Sequence, residues 1–182
     1  MKFTPKHCHT KTGKQLLIRM AGVEDAQAIL DLKRGYLTNT TTLPMLLEEY
    51  PDDLAKETQL IKDYADSDNS IFLVAEHEGQ LIGNIDLTGS KRSKMYHTAM
   101  LGMGIHEQWR NQGVGKLLIQ HSLDWARWES GIELVWLDVY ATNALGFQLY
   151  KNAGFTVSGS IPGFFKEGDE AIDKIQMFQK FK

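Results

Sequence analysis

Apolar positions along this chain switch between a period of two and a period near 3.6. These are the marks of half-buried strands and of helices with one inward face. Leu16 to Met20 alternates as a first strand, and Val23 to Leu37 follows as a helix with Ala26, Ile29, Leu30, Lys33 and Leu37 on one face. Glu24 and Asp25 sit in its first turn, where the helix dipole favours negative charge. The Thr38 to Thr42 cluster and Pro44 end it. Residues 54–66, carrying Leu54, Leu60, Ile61 and Tyr64, predict a second helix. Ile71 to Ala75 is a continuous apolar run, hence a buried strand. A tight turn at His77-Glu78-Gly79-Gln80 returns Leu81 to Thr88 as its hairpin partner.

Tyr96 to Ile105 predicts a further strand, interrupted by Gly102 and Gly104. Glycine inside a strand marks a bulge or a close backbone approach. Val114 to Trp128 then reads as a helix with Val114, Leu117, Leu118, His121, Trp125 and Trp128 turned inward. Leu134 to Val139 is a strand and Asn143 to Asn152 a helix, closed by Gly154 at the position a C-cap glycine favours. Phe155 to Ile161 and Ala171 to Phe181 finish as an antiparallel pair around a loop containing Pro162, Gly163 and Gly168. Residues 1–15 are polar and are expected to be partly ordered. The sum is an α+β chain: one domain over residues 1–182, a mixed, largely antiparallel sheet of seven strands, and about four helices.

Composition narrows the picture. An apolar fraction of 42% and a charged fraction of 24% over 182 residues are ordinary for a globular chain. The net charge of −3 argues against generic nucleic-acid binding, which needs a basic face. No apolar run is long enough to cross a membrane, no leader pattern opens the chain, and the single Cys8 fits a reducing compartment, so a cytoplasmic location is expected. The spacing in His7-Cys8-His9 is not that of a structural zinc site, and no metal is expected. Between Glu48 and Asp68 lie eight acids against Lys56 and Lys62, either a solvated face or a rim that attracts a cationic amine. The basic loop Lys91 to Lys94 is either a solvated turn or a contact for a cofactor phosphate.

The chemistry concentrates at Arg110-Asn111-Gln112-Gly113-Val114-Gly115-Lys116, between a strand and a helix. Such a turn aims unpaired N–H groups and the positive end of a helix dipole at one point, which suits a phosphate or pyrophosphate. A Walker A loop is excluded, because Leu117 replaces the metal-binding hydroxyl and Arg110 the first glycine; the dinucleotide fingerprint fails as well. The segment resembles instead the acyl-coenzyme A loop of the GNAT family of N-acetyltransferases, [QR]-x-x-G-x-[GA]. About thirty residues on, Asn143 to Phe155 resembles that family's N-x-x-A-x-x-L-Y-x-x-x-G-F, with Gly146 in place of the usual alanine.

The resemblance implies a GNAT fold whose fourth and fifth strands splay into a V-shaped slot after a bulge. The pantetheine of acetyl-coenzyme A would pair there with backbone groups of Met103, Gly104 and Ile105, and its pyrophosphate would rest on Arg110 to Lys116. Asn143 would bond the pantetheine arm, and Tyr150 would protonate the departing thiolate. For the base, Glu107 is taken first, with His97, Asp86, Asp138 and a water chain as alternatives. The implied activity is acetyl transfer to a primary amine, of a small molecule or amino acid or of a peptide terminus or lysine, by direct attack in a ternary complex. The alternative is a non-catalytic acyl-coenzyme A sensor on the same fold. Homodimers occur among such proteins, and the apolar C-terminal strands would serve for one.

Overall fold

The computed structural model describes residues 2–181. Eight strands form one sheet: β1 (Lys6–His9), β2 (Gln15–Met20), β3 (Ile71–His77), β4 (Gln80–Gly89), β5 (Thr98–Ile105), β6 (Leu134–Tyr140), β7 (Thr156–Glu167) and β8 (Glu170–Lys180). Their order is β1-β2-β3-β4-β5-β6-β8-β7, antiparallel except for the β5–β6 pair. Among the described residues four α-helices accompany it: α1 (Ala26–Thr38), α2 (Leu54–Asp66), α3 (Val114–Trp128) and α4 (Ala144–Asn152). No helix among the described residues is long and apolar enough to cross a membrane.

The eighth strand is β1. No strand was expected before Leu16, yet Cys8 pairs with Leu16 and the turn at residues 10–14 is closed by Thr10 N–H to Lys14 O (2.9 Å). The segment is polar because β1 is an edge strand with little burial, so a hydrophobic pattern cannot reveal it. The C-terminal hairpin also differs. Pro162 and Gly163 do not form a loop; β7 runs through them to Glu167 with a register shift between Ile161 and Phe165, and the turn is only Gly168-Asp169. Proline is tolerated because β7 is the other edge of the sheet.

Two apolar layers sandwich the sheet. On one face α3 packs over Ile85, Leu87, Ala99, Leu101, Val135 and Leu137, with Leu149 and Tyr150 of α4 against the same cluster. On the other face α1 and α2 bury Ile29, Leu32 and Ile61 against Phe72 and Val74. The inward face of α3 is rotated from the expected one: Ile119, Ser122, Leu123 and Ala126 are buried, while Trp128 is 73% exposed. Small residues carry this contact. Ser122 Oγ turns back onto its own helix at Ile119 O (3.0 Å), which lets α3 lie close to the sheet. A reading by bulk weights tryptophan over Ser122 and Ala126.

Candidate active site

Strands β5 and β6 pair only at Thr98, Ala99 and Met100 with Leu134, Val135 and Trp136. Beyond that point each stays bound on its outer side, β5 to β4 as far as Ile105 and β6 to β8 as far as Tyr140. The edges 101–105 and 137–140 therefore face each other unpaired. Open edges of this kind accept an extended, amide-bearing ligand as an added strand. The bulge expected in β5 is not the cause, because the β4–β5 register runs without a shift. Gly102 and Gly104 serve close approaches instead. A Cβ on Gly104 would stand 2.1 Å from the Tyr36 ring, and one on Gly102 would stand 2.8 Å from Asp86 Oδ1.

The slot opens into a cleft of about 1410 Å3. Met103, Gly104, Ile105, Arg110, Asn111, Gly113, Gly115, Lys116, Asn143 and Tyr150 all line it. Gln112, Val114 and Glu107 do not. At the loop, Asn111 (φ 62°) and Gly113 (φ 92°) adopt left-handed backbone, and the first bond of α3 is Leu117 N–H to Gly113 O (3.2 Å). The N–H groups of Val114, Gly115 and Lys116 precede that bond and sit at the positive end of the helix. Gly115 is buried, and a Cβ there would press on Leu149 at 3.0 Å and Ile105 at 3.1 Å. Val114 is a core residue.

Two loop side chains act as braces. Arg110 donates from Nε to Ile105 O and from Nη1 to Asn39 O, both at 3.2 Å, tying the loop to the end of β5 and of α1. Gln112 donates to Gln108 O (2.7 Å), and its carbonyl accepts from Lys11 N–H (2.9 Å). The β1–β2 turn thus props the loop, a role for Lys11 that the polar N-terminal composition concealed. This donor set fits a coenzyme A pyrophosphate: free helical N–H groups, an exposed Lys116 and a backbone made compact by glycine.

At the other end, Asn143 caps α4 by accepting from Gly146 N–H (2.9 Å). Tyr150, half-buried and edge-on to Phe155, has its hydroxyl pushed up to about 12 by burial and then by the charge of Asp86. Glu107 lies exposed in a turn of 3-10 helix beyond β5, outside the cleft lining. His97 is exposed ahead of β5, and Lys91, Arg92 and Lys94 of the basic loop are exposed and outside the lining.

The cleft wall opposite the loop belongs to α1, β5, β6 and the β7–β8 hairpin. Tyr36 and Met100 line it, Tyr140 stacks on Phe165 at 3.9 Å, and Asp138 pairs with Lys174 at 3.0 Å. Behind the bare backbone of Gly102, Asp86 Oδ2 accepts from Tyr64 Oη and Thr88 Oγ1, each at 3.0 Å. Burial pushes the Asp86 carboxyl up, opposed by those two hydrogen bonds. Burial and then Asp86 push the Tyr36 and Tyr64 hydroxyls up. Tyr36 escaped the sequence reading because α1 looked complete with its apolar stripe; the paired glycines at 102 and 104 were the trace it left.

Residues 35–155 match the model of the acetyltransferase (GNAT) family. The chain is 25% identical over 169 residues to the L-amino acid N-acetyltransferase AaaT of Escherichia coli (strain K12), covering 90% of this chain and 96% of that one. It superposes on the GNAT-family acetyltransferase of Streptococcus pneumoniae with a TM-score of 0.88 at 24% identity, over 92% of this chain and 99% of that one. It superposes on yncA of Salmonella typhimurium, solved with its cofactor acetyl-CoA, with a TM-score of 0.82 at 19% identity, over 92% and 94%. The chain belongs to the acetyltransferase (GNAT) family and is an acetyl-coenzyme A-dependent N-acetyltransferase.

Proposed function

We propose that this enzyme acetylates a primary amine, of an amino acid or other small molecule or of a peptide, by direct attack within a ternary complex. The observation that carries the reading is Tyr150, set on α4 in the wall of a cleft formed by two unpaired strand edges. When bound, acetyl-coenzyme A would supply its acetyl group as a thioester: the amine nitrogen would bond the acetyl carbon as the carbon–sulfur bond breaks, an N–H proton would pass to water, and the departing thiolate would take a proton from Tyr150. Backbone groups of Met103 to Ile105 would hold the pantetheine arm. The N–H groups of Gly113 to Lys116, with Arg110, Asn111 and Lys116 beside them, would hold the pyrophosphate. Gln112 and Val114 support that loop from behind.

Tyr150 stays protonated at neutral pH and would hold the sulfur and give it a proton. Cys8 lies on β1, outside the cleft lining, which is consistent with transfer that uses no enzyme nucleophile. The same reading extends to a homodimer through edge strand β7, whose Val157, Ile161 and Phe164 are exposed, and to a cytoplasmic location.

The test is coenzyme A release across free amino acids, polyamines, aminoglycosides and peptides, with wild type and Tyr150→Phe side by side. Loss of the proton donor should slow turnover roughly 10²–10⁴-fold with acetyl-coenzyme A affinity intact. Tight cofactor binding by wild type without turnover on any amine would point to the acyl-coenzyme A sensor instead.

A further inference from the structure

The turn between β1 and β2 carries two lysines with different engagements. Thr10 Oγ1 accepts from Thr12 N–H (3.3 Å) and Lys14 N–H (3.1 Å), and Gly13 (φ 84°) completes the reversal. Lys14 is occupied, its ammonium 4.4 Å from the centre of the Trp109 ring. Lys11 joins no ion pair among the described residues. Its side chain crosses Gly113 instead, with Cγ, Cδ and Cε 3.2, 3.8 and 3.7 Å from where a Cβ would stand, and it lines the cleft. The bare backbone of Gly113 thus gives the lysine stem a track. Its ammonium, one bond beyond Cε, is carried to the region of the N-cap of α3.

The turn is fixed to the loop by two hydrogen bonds, Lys11 N–H to Gln112 O (2.9 Å) and Thr12 Oγ1 to Gln112 Oε1 (3.3 Å). Lys11 is therefore placed by its own backbone, and only side-chain freedom remains to be lost on binding. The arginines that line the cleft are engaged elsewhere. Arg110 donates to Ile105 O and Asn39 O, and Arg127 lies 5.0 Å from the centre of the Phe181 ring.

Resting on the seat proposed above for the pyrophosphate, we propose that Lys11 is a further cofactor-binding residue, whose ammonium pairs with the pyrophosphate that the loop N–H groups receive. Lysine serves phosphate as a mobile point charge, which suits a side chain laid along a groove. Lys11 lies outside residues 35–155, the span that matches the family model, so the N-terminal hairpin adds a charge to a site otherwise made of backbone. Lys11 is exposed, so solvent and salt screen the pair and its effect is several-fold.

The experiment is titration calorimetry of coenzyme A and of dephospho-coenzyme A, whose only phosphates are those of the pyrophosphate. Lys11→Met keeps the stem and the hydrogen bond to Gln112 and removes the charge. At about 20 mM sodium chloride it should weaken both ligands about fivefold, and at about 500 mM by less than about twofold. Lys11→Arg and Lys14→Met should each stay within about twofold of wild type.

No loss in Lys11→Met overturns the proposal. So does a loss that salt does not reduce, which would be structural, or one confined to coenzyme A, which would place Lys11 at the 3′-phosphate. An equal loss in Lys14→Met, the signature of a general field, overturns it as well. Gly113→Ala separates this failure from that of the seat. If Gly113→Ala weakens both ligands while Lys11→Met does not, the pyrophosphate seat stands without Lys11. If neither variant weakens them, the seat itself falls.

Discussion

The two halves of the cleft are built from different materials. The half proposed for the cofactor is made of backbone: unpaired strand edges, helix N–H groups and a loop held in left-handed turns at Asn111 and Gly113. The half proposed for the acceptor is made of side chains drawn from distant parts of the chain, with Asp138 paired to Lys174, Asp86 without an ion-pair partner among the described residues, and tyrosine hydroxyls between them. Backbone sites tolerate changes of side chain and fail when the backbone path changes. Side-chain sites fail when one partner is removed. Substitutions on each side separate these two modes.

The largest effect is expected at Lys33→Met. Lys33 Nζ and Glu57 Oε1 are 2.8 Å apart, with side chains only 12% and 4% exposed, and the Glu57 carboxylate also accepts from Tyr50 Oη. Removing the ammonium leaves a buried carboxylate unneutralised at a cost of about 3–5 kcal/mol. For a chain of this size that is a fall of roughly 10 °C in the melting midpoint. The midpoint is read by calorimetry, and acetyl-coenzyme A affinity at a permissive temperature should change by less than about twofold. A weaker cofactor with an unmoved midpoint would mean that the halves are not separate.

Gly113→Ala probes the other half. At φ 92° an alanine pays the left-handed penalty of about 1–2 kcal/mol, and its Cβ would meet Lys11 Cγ at 3.2 Å. Relaxation of the loop turns the N–H groups away, so titration calorimetry should show about tenfold weaker acetyl-coenzyme A binding. Lys116→Ala, which removes an exposed charge, should cost no more than about 1 kcal/mol. If the lysine matters more than the glycine, the cofactor half is not a backbone site.

The same division explains what the sequence disclosed. A backbone site leaves a compact signature, because glycines and a helix start must fall at fixed offsets; Arg110 to Gly115 and Asn143 to Phe155 were readable for that reason. Boundaries of α2 and α3 were legible too, since each carries its own apolar period. Asp86, Tyr36 and Tyr64 are far apart in the chain and meet only through the α1–α2 layer, so no local pattern joins them; Asp86 was one of several acids open as a base. Glu107, just after β5, was taken first as the base; it lies exposed in a 3-10 turn. The strand β1 and the straight course of β7 through Pro162 were hidden because edge strands need neither burial nor a full set of hydrogen bonds.

The smallest effect, at Gly146→Ala, tests how the two materials meet on α4. Asn143 accepts from Gly146 N–H at 2.9 Å, and a Cβ at 146 would stand 2.7 Å from Asn143 Nδ2 and 2.8 Å from Oδ1. The alanine typical of the family therefore displaces the carboxamide from its capping position. Losing the cap costs about 1 kcal/mol, and replacing glycine with alanine near the helix start returns up to about 1 kcal/mol. The net change in stability should lie within about 1 kcal/mol of zero. The displaced carboxamide turns toward the cleft, which Asn143 already lines, and becomes available to the pantetheine arm. Acetyl-coenzyme A should then bind at least as tightly as to wild type. Binding weakened by more than about threefold, or roughly 0.7 kcal/mol, would show that the capped carboxamide is the form the cofactor uses, and that the glycine holds Asn143 for it.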